Sequence, residues 1–219
     1  MIKSFLPALL SLCLATSAFA QLGIKGGVAI STLREQREAI TREDFENKSV
    51  ITPVIGLSYD LNIADIITIQ PELLYSQSGG RNTYSIAGTT YENTYRINYL
   101  ELPVLFKLQI GNEDNEAGKT GFYIAAGPWV GYALNGKYKN QLPVLGTLEG
   151  DFSFDDKDDA KRLNTGLVAA AGVNFGKVVL DLRYNFGLNN LIDADASNAN
   201  DNDPLLQTRA IAITAGYKF

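Results

Sequence analysis

Taken two residues at a time, the chain sorts into segments whose alternate side chains are apolar. In residues 208–219, Ile211, Ile213, Ala215, Tyr217 and Phe219 fall on one side; Ala212, Thr214, Gly216 and Lys218 fall on the other. Successive side chains of a β-strand point to opposite faces, so this period predicts a strand with one apolar and one polar or small face. The same signature marks residues 22–31, 50–62, 66–78, 95–110, 121–138, 162–175 and 178–188. In 178–188, Val178, Leu180, Leu182, Tyr184, Phe186 and Leu188 oppose Asp181, Arg183, Asn185 and Gly187. Residues 32–48, 79–92, 140–161 and 189–204 are polar, without period, and read as long loops; 62–65, 111–120 and 176–177 read as short turns.

Eight strands of about ten residues or more are enough to cross a bilayer when tilted, and single-chain bacterial barrels have even strand numbers. Long and short connections alternate, as they do when short turns face the periplasm and long loops face outward. These features predict an all-β protein, an eight-stranded antiparallel up-and-down transmembrane β-barrel in the outer membrane of a Gram-negative bacterium. A lipocalin is also an eight-stranded barrel, but it keeps apolar residues inside. Here the face opposite the apolar one carries Lys25, Glu72, Glu101, Lys107, Asp181 and Arg183, which an apolar calyx would leave unpaired.

The first 20 residues read as a secretory signal peptide. Lys3 gives the positive start, residues 5–15 the apolar stretch, and Ala18-Phe19-Ala20 the small-x-small cleavage site. The barrel domain is then 21–219. The one cysteine, Cys13, lies in the leader and follows Leu12, so neither a disulfide nor a lipid anchor is expected. The whole chain has 19 basic and 24 acidic residues and a formal charge of −5, which argues against nucleic acid or anionic lipid as a partner.

On this register the inward charges are Lys25, Lys107, Arg183 and Lys218 against Asp60, Glu72, Glu101 and Asp181. An eight-stranded barrel is just wide enough for side chains to fill it, so four cations facing four anions read as a plug rather than an ion path. The outward aromatics sort by depth. Tyr59, Phe122, Phe175, Tyr217 and Phe219 fall near the periplasmic ends; Tyr75, Tyr132, Tyr184 and Phe186 fall near the outer ends. Two belts are what interfacial anchoring predicts. Trp129 falls inward, unless Pro128 marks a bulge that shifts the parity.

Catalytic chemistry finds little support. The chain has no His, and with Cys13 in the leader no thiol nucleophile is expected in the barrel, so an enzyme is not expected. Asp193, Asp195, Asp201 and Asp203 could offer oxygens to Ca²⁺. However, Asn198 and Pro204 stand where an EF-hand needs Gly and Glu, so a solvated loop is the reading, with no metal or cofactor. GYALNGKY (131–138) nearly spells a P-loop, but Tyr138 replaces the Mg²⁺-binding hydroxyl and the stretch is a strand.

The motifs QPELLY (70–75), YLELPVLFK (99–107), AAGPWVGY (125–132) and DLRYNFGLNNL (181–191) resemble those of the PorT-like outer-membrane β-barrel family of Bacteroidetes, over essentially the whole mature chain. The resemblance implies the barrel fold and the outer membrane, and says little of activity. It also implies that Tyr217 and Phe219 form the C-terminal signal read by the barrel-assembly machinery. The family's namesake takes part in a secretion system. The expected role is structural or binding, through the external loops of a monomer whose surroundings are outer-membrane lipid and lipopolysaccharide. The alternative is transport, as a small channel or an accessory of a secretion machine.

Overall fold

The computed structural model describes residues 20–36, 46–86, 89–110, 120–142, 146–152, 162–190 and 205–219. Residues 1–19 of the expected leader (1–20) and the four aspartates of residues 193–203 lie outside the described residues; Ala20 is the first residue of β1. Ten strands follow in order: β1 (Ala20–Gln36), β2 (Glu46–Lys48), β3 (Val50–Ala64), β4 (Ile67–Ile86), β5 (Thr89–Ile110), β6 (Thr120–Leu142), β7 (Gly146–Phe152), β8 (Leu163–Phe175), β9 (Val178–Gly187) and β10 (Leu205–Lys218).

Eight of them close a ring of antiparallel neighbours: β1–β3–β4–β5–β6–β8–β9–β10 and back to β1. Closure is physically required of an all-β membrane protein, because an open edge would leave backbone groups unbonded in hydrocarbon. β10 pairs with β1 from Gly23↔Lys218 to Gln36↔Leu205, which seals the barrel. One end has tight connections at 65–66 and 176–177; Gly176 takes a positive φ of 58°, a conformation that glycine adopts without strain. By the barrel rule this end faces the periplasm.

The other end is taller than the alternation predicted. Residues 79–92, expected as a loop, continue β4 and β5 as one hairpin, paired as far as Ile86↔Thr89. Within the expected loops 32–48 and 140–161, β1 continues to Gln36, β2 pairs with β4, and β7 folds back on β6. The physical reason is that this sheet continues beyond the lipid-facing wall, where exposed side chains such as Lys137, Lys139, Glu149 and Asp151 are charged rather than apolar. Backbone pairing persists there, but no face need be apolar, so the two-residue period disappears.

Outward side chains in the barrel wall are apolar: Ile51, Ile55, Phe106, Leu182 and Ile213 are all more than half exposed. A face this apolar needs hydrocarbon against it. The interior holds the buried side chains. A large cluster of Leu105, Tyr123, Ala125, Trp129, Val168, Ala170 and Val179 fills one side, and smaller ones gather around Leu74 and Tyr99. Trp129 faces the lumen, and its Nε1 donates to the Leu167 carbonyl at 3.2 Å. Pro128 makes no bulge: the β6–β8 register runs unbroken from Tyr132↔Leu163 to Thr120↔Phe175. The shift on β6 lies further along, where Asn98 pairs with Asn135 but Tyr99 with Ala133.

Candidate functional site

The lumen is where this chain concentrates buried charge. Inward positions of β1, β4 and β9 bring Lys25, Glu72, Asp181 and Arg183 together, each at most 4% exposed. Lys25 Nζ stands 2.8 Å from Glu72 Oε1 and 2.9 Å from Asp181 Oδ2. Arg183 Nη1 donates to Glu72 Oε2 at 2.8 Å, and its Nε to Asp181 Oδ1 at 2.9 Å. Two cations thus alternate with two anions in a closed cycle. Thr214 and Tyr123 hydroxyls complete Asp181 at 2.8 and 3.1 Å.

Topology gives this cycle its consequence. In the ring of eight, β4 and β9 are opposite one another, with three strands between them on either side. The Arg183–Glu72 pair therefore spans the diameter of the barrel. Arg183 is suited to this, because its planar fork bonds two carboxylates at once in fixed geometry.

A second group lies toward the short-turn end. Asp60 Oδ2 is 2.9 Å from Lys218 Nζ and 3.7 Å from Lys107 Nζ, and Lys107 also sits 4.2 Å from the centre of the Tyr123 ring. Tyr123 thus touches both groups. The structure brings seven of the eight expected residues into ion pairs. Glu101 stands apart: Ser76 Oγ donates to it at 2.5 Å, and among the described residues no cation reaches it at ion-pair distance. Glu101 shares the lumen with the other seven and is buried there, held by a hydroxyl rather than by a cation. Alternation places Glu101 inside but does not set its height against the cations of other strands.

Sequence reasoning passed over the residues that make room. β8 is small on its inner face because two aromatics of β6 lie across it. A Cβ at Gly166 would collide with the Phe186 carbonyl and Trp129, and one at Gly172 with the Tyr123 ring. The signal was available in Asn164, Gly166, Val168, Ala170 and Gly172 alternating along one strand. The Tyr217 and Phe219 rings meet edge to face with centroids 5.6 Å apart. Among the described residues no cluster of metal-ligating side chains occurs.

A family model described as "Outer membrane protein beta-barrel domain" matches residues 15–193. No curated protein matches the chain. Among solved structures, the attachment invasion locus protein Ail of Yersinia pestis is 14% identical, covering 92% of this chain and 99% of its own at a TM-score of 0.38. The outer membrane protein OprG of Pseudomonas aeruginosa is 12% identical, covering 92% and 96% at a TM-score of 0.48. Neisserial surface protein A is 12% identical, covering 91% and 99% at a TM-score of 0.44. Likeness at this level says nothing of activity.

Proposed function

Because the chain belongs to the outer membrane protein β-barrel domain family, and so is an integral protein of the Gram-negative outer membrane, we propose that it works as a plugged, non-conducting barrel. Its role is structural or binding, and it acts through the sheet and loops at its outer end. The observation that carries this reading is the Arg183–Glu72 pair, which crosses the lumen at 2.8 Å with both side chains at most 2% exposed. An ion path through that point would have to break the pair and leave two charges without partners. Tyr123, Trp129 and Leu105 pack the remaining space on the β5–β6–β8 side. Within the family, QPELLY and DLRYNFGLNNL support a PorT-like member from Bacteroidetes.

The test is electrical. The purified full-length barrel in planar bilayers should give no steady conductance, because an interior of this size is occupied by its own side chains. A stable, ion-selective open channel from wild-type protein would overturn the plug and make transport the role.

A further inference from the structure

The outward face changes character at a definite height. Tyr75, Leu100 and Tyr132 pair in one row across β4, β5 and β6. Beyond it comes a polar row on the same face: Gln77 Nε2 donates to Asn98 Oδ1 at 2.8 Å, and Asn98 Nδ2 to Asn135 Oδ1 at 2.6 Å. Linked amides have no place in hydrocarbon, so the lipid tails end between these rows. The next positions are basic. Arg96 pairs in register with Lys137, and Arg81 and Lys139 flank Thr94 one row further.

The register shift at Asn98/Tyr99 produces this arrangement. It places one extra residue on β6, so Gly136 is buried while Lys137 and Lys139 are exposed. Without that residue the two lysines would point to the other face. The four cations line a cleft of about 590 Å³ whose carboxylates are Glu92, Glu149 and Asp151. Arg81 meets Glu92 at 3.3 Å, Lys139 meets Glu149 at 2.7 Å, and Lys137 meets Asp151 at 3.8 Å. The hydrogen bond from Lys139, with its charge, holds the Glu149 carboxyl below the usual range. The two lysine pairs are exposed and the Arg81–Glu92 pair is half-buried; exposed pairs hold little, so the lysines remain available to a stronger anion. Arg96 makes no ion pair among the described residues. Around the same rim, Arg162 donates to the Tyr132 hydroxyl at 3.0 Å, and Arg209 lies 3.5 Å over the Phe186 ring.

We propose that this cleft binds the phosphate groups of an outer-leaflet glycolipid, with Arg96 and Lys137 as the principal contacts. The occupant follows from position. The basic rows continue the lipid-facing wall toward its outer end, about 13 Å along the strands from Leu100 at a rise of ~3.3 Å per residue. A lipid there lays its acyl chains on Tyr75, Leu100 and Tyr132 while its headgroup phosphates meet the cations. Arginine and lysine both suit phosphate, one as a fork and the other as a point charge. In a chain of net charge −5, a basic rim at this one height complements an anionic leaflet.

The proposal rests on the barrel orientation above, so barrel integrity is read separately by heat-modifiable mobility in SDS gels. The full-length barrel in detergent is titrated by native mass spectrometry with bisphosphorylated lipid A, with dephosphorylated lipid A, and with bisphosphorylated lipid A in the presence of millimolar inorganic phosphate. Wild type should bind the phosphorylated lipid on the order of tenfold more tightly than Arg96→Gln/Lys137→Gln, the loss expected when charge-assisted contacts go. Arg81→Gln/Lys139→Gln should lose in the same direction, while all variants keep wild-type gel mobility. Equal binding by wild type and the Arg96/Lys137 variant would overturn the proposal, as would equal affinity for the dephosphorylated lipid. Complete displacement by inorganic phosphate would assign the cleft to a free anion and overturn the lipid.

Discussion

Arg183 is bonded on both sides by carboxylates, to Glu72 across the barrel and to Asp181 two residues back on its own strand. Replacing it with methionine keeps much of the volume but leaves Glu72 and Asp181 sharing Lys25 alone, with one negative charge in excess. Breaking a buried pair from one side costs roughly 3–5 kcal/mol. Arg183→Met should therefore lower barrel stability by that order, measured by urea unfolding in lipid vesicles. Adding Asp181→Leu restores balance, because Lys25 and Glu72 remain as a neutral pair at 2.8 Å. The double variant should thus recover part of the loss, and the cycle of four proteins measures the coupling. No recovery would mean that Asp181 is held mainly by Lys25, Thr214 and Tyr123. At this scale the sequence was informative about which side chains point inward, because lipid on the other face enforces the period. It was silent about partners: Lys25 and Asp181 are 156 residues apart, and their meeting depends on the stagger between strands.

At the scale of a strand, β6 shows both what alternation reveals and where it stops. Up to Leu134 its faces follow the period, and Trp129 lies inward at 5% exposure. The chain has a single tryptophan, so its fluorescence reports this one site. In vesicles of brominated phosphatidylcholine, Trp129 should be quenched far less than a tryptophan placed at Val130, the outward neighbour, in a Trp129→Phe/Val130→Trp variant. Equal quenching would put Trp129 in lipid and shift the register of β6 by one residue. Proline suggested a bulge at Pro128, but the extra residue falls at the Asn98/Tyr99 level, where neither strand carries glycine or proline. A proline on a strand need only lack a ladder hydrogen bond; a bulge follows from how two strands count against each other, and one strand's sequence does not contain that count. The glycines of β8 are the counterpart. Gly166 and Gly172 look like weak points of a strand until Trp129 and Tyr123 are seen lying over them.

The whole molecule divides by solvent rather than by domain. Below the Gln77–Asn98–Asn135 row, each strand of the ring is bonded on both sides. Above it, β2, β4, β5, β6 and β7 form a sheet that stands in water. Backbone groups in that upper sheet can turn to water if they lose a partner, whereas those in the wall cannot. The two parts should therefore be separable in stability. The described residues of 80–95 pair only with one another, with β2 and with the upper part of β6. Excising them and joining Gly79 to Arg96, which are already in register, through an Asn-Gly turn gives a two-residue hairpin of the favoured kind. The shortened protein should still insert, run with heat-modifiable mobility in SDS gels, and keep the urea transition of its membrane wall. It keeps every residue of the Lys25–Glu72–Asp181–Arg183 cycle, so its silence in planar bilayers should also persist. Conversely, if the excised barrel fails to fold into lipid vesicles, or opens a steady conductance, the tall hairpin is part of what closes the lumen. The wall would then not be self-sufficient.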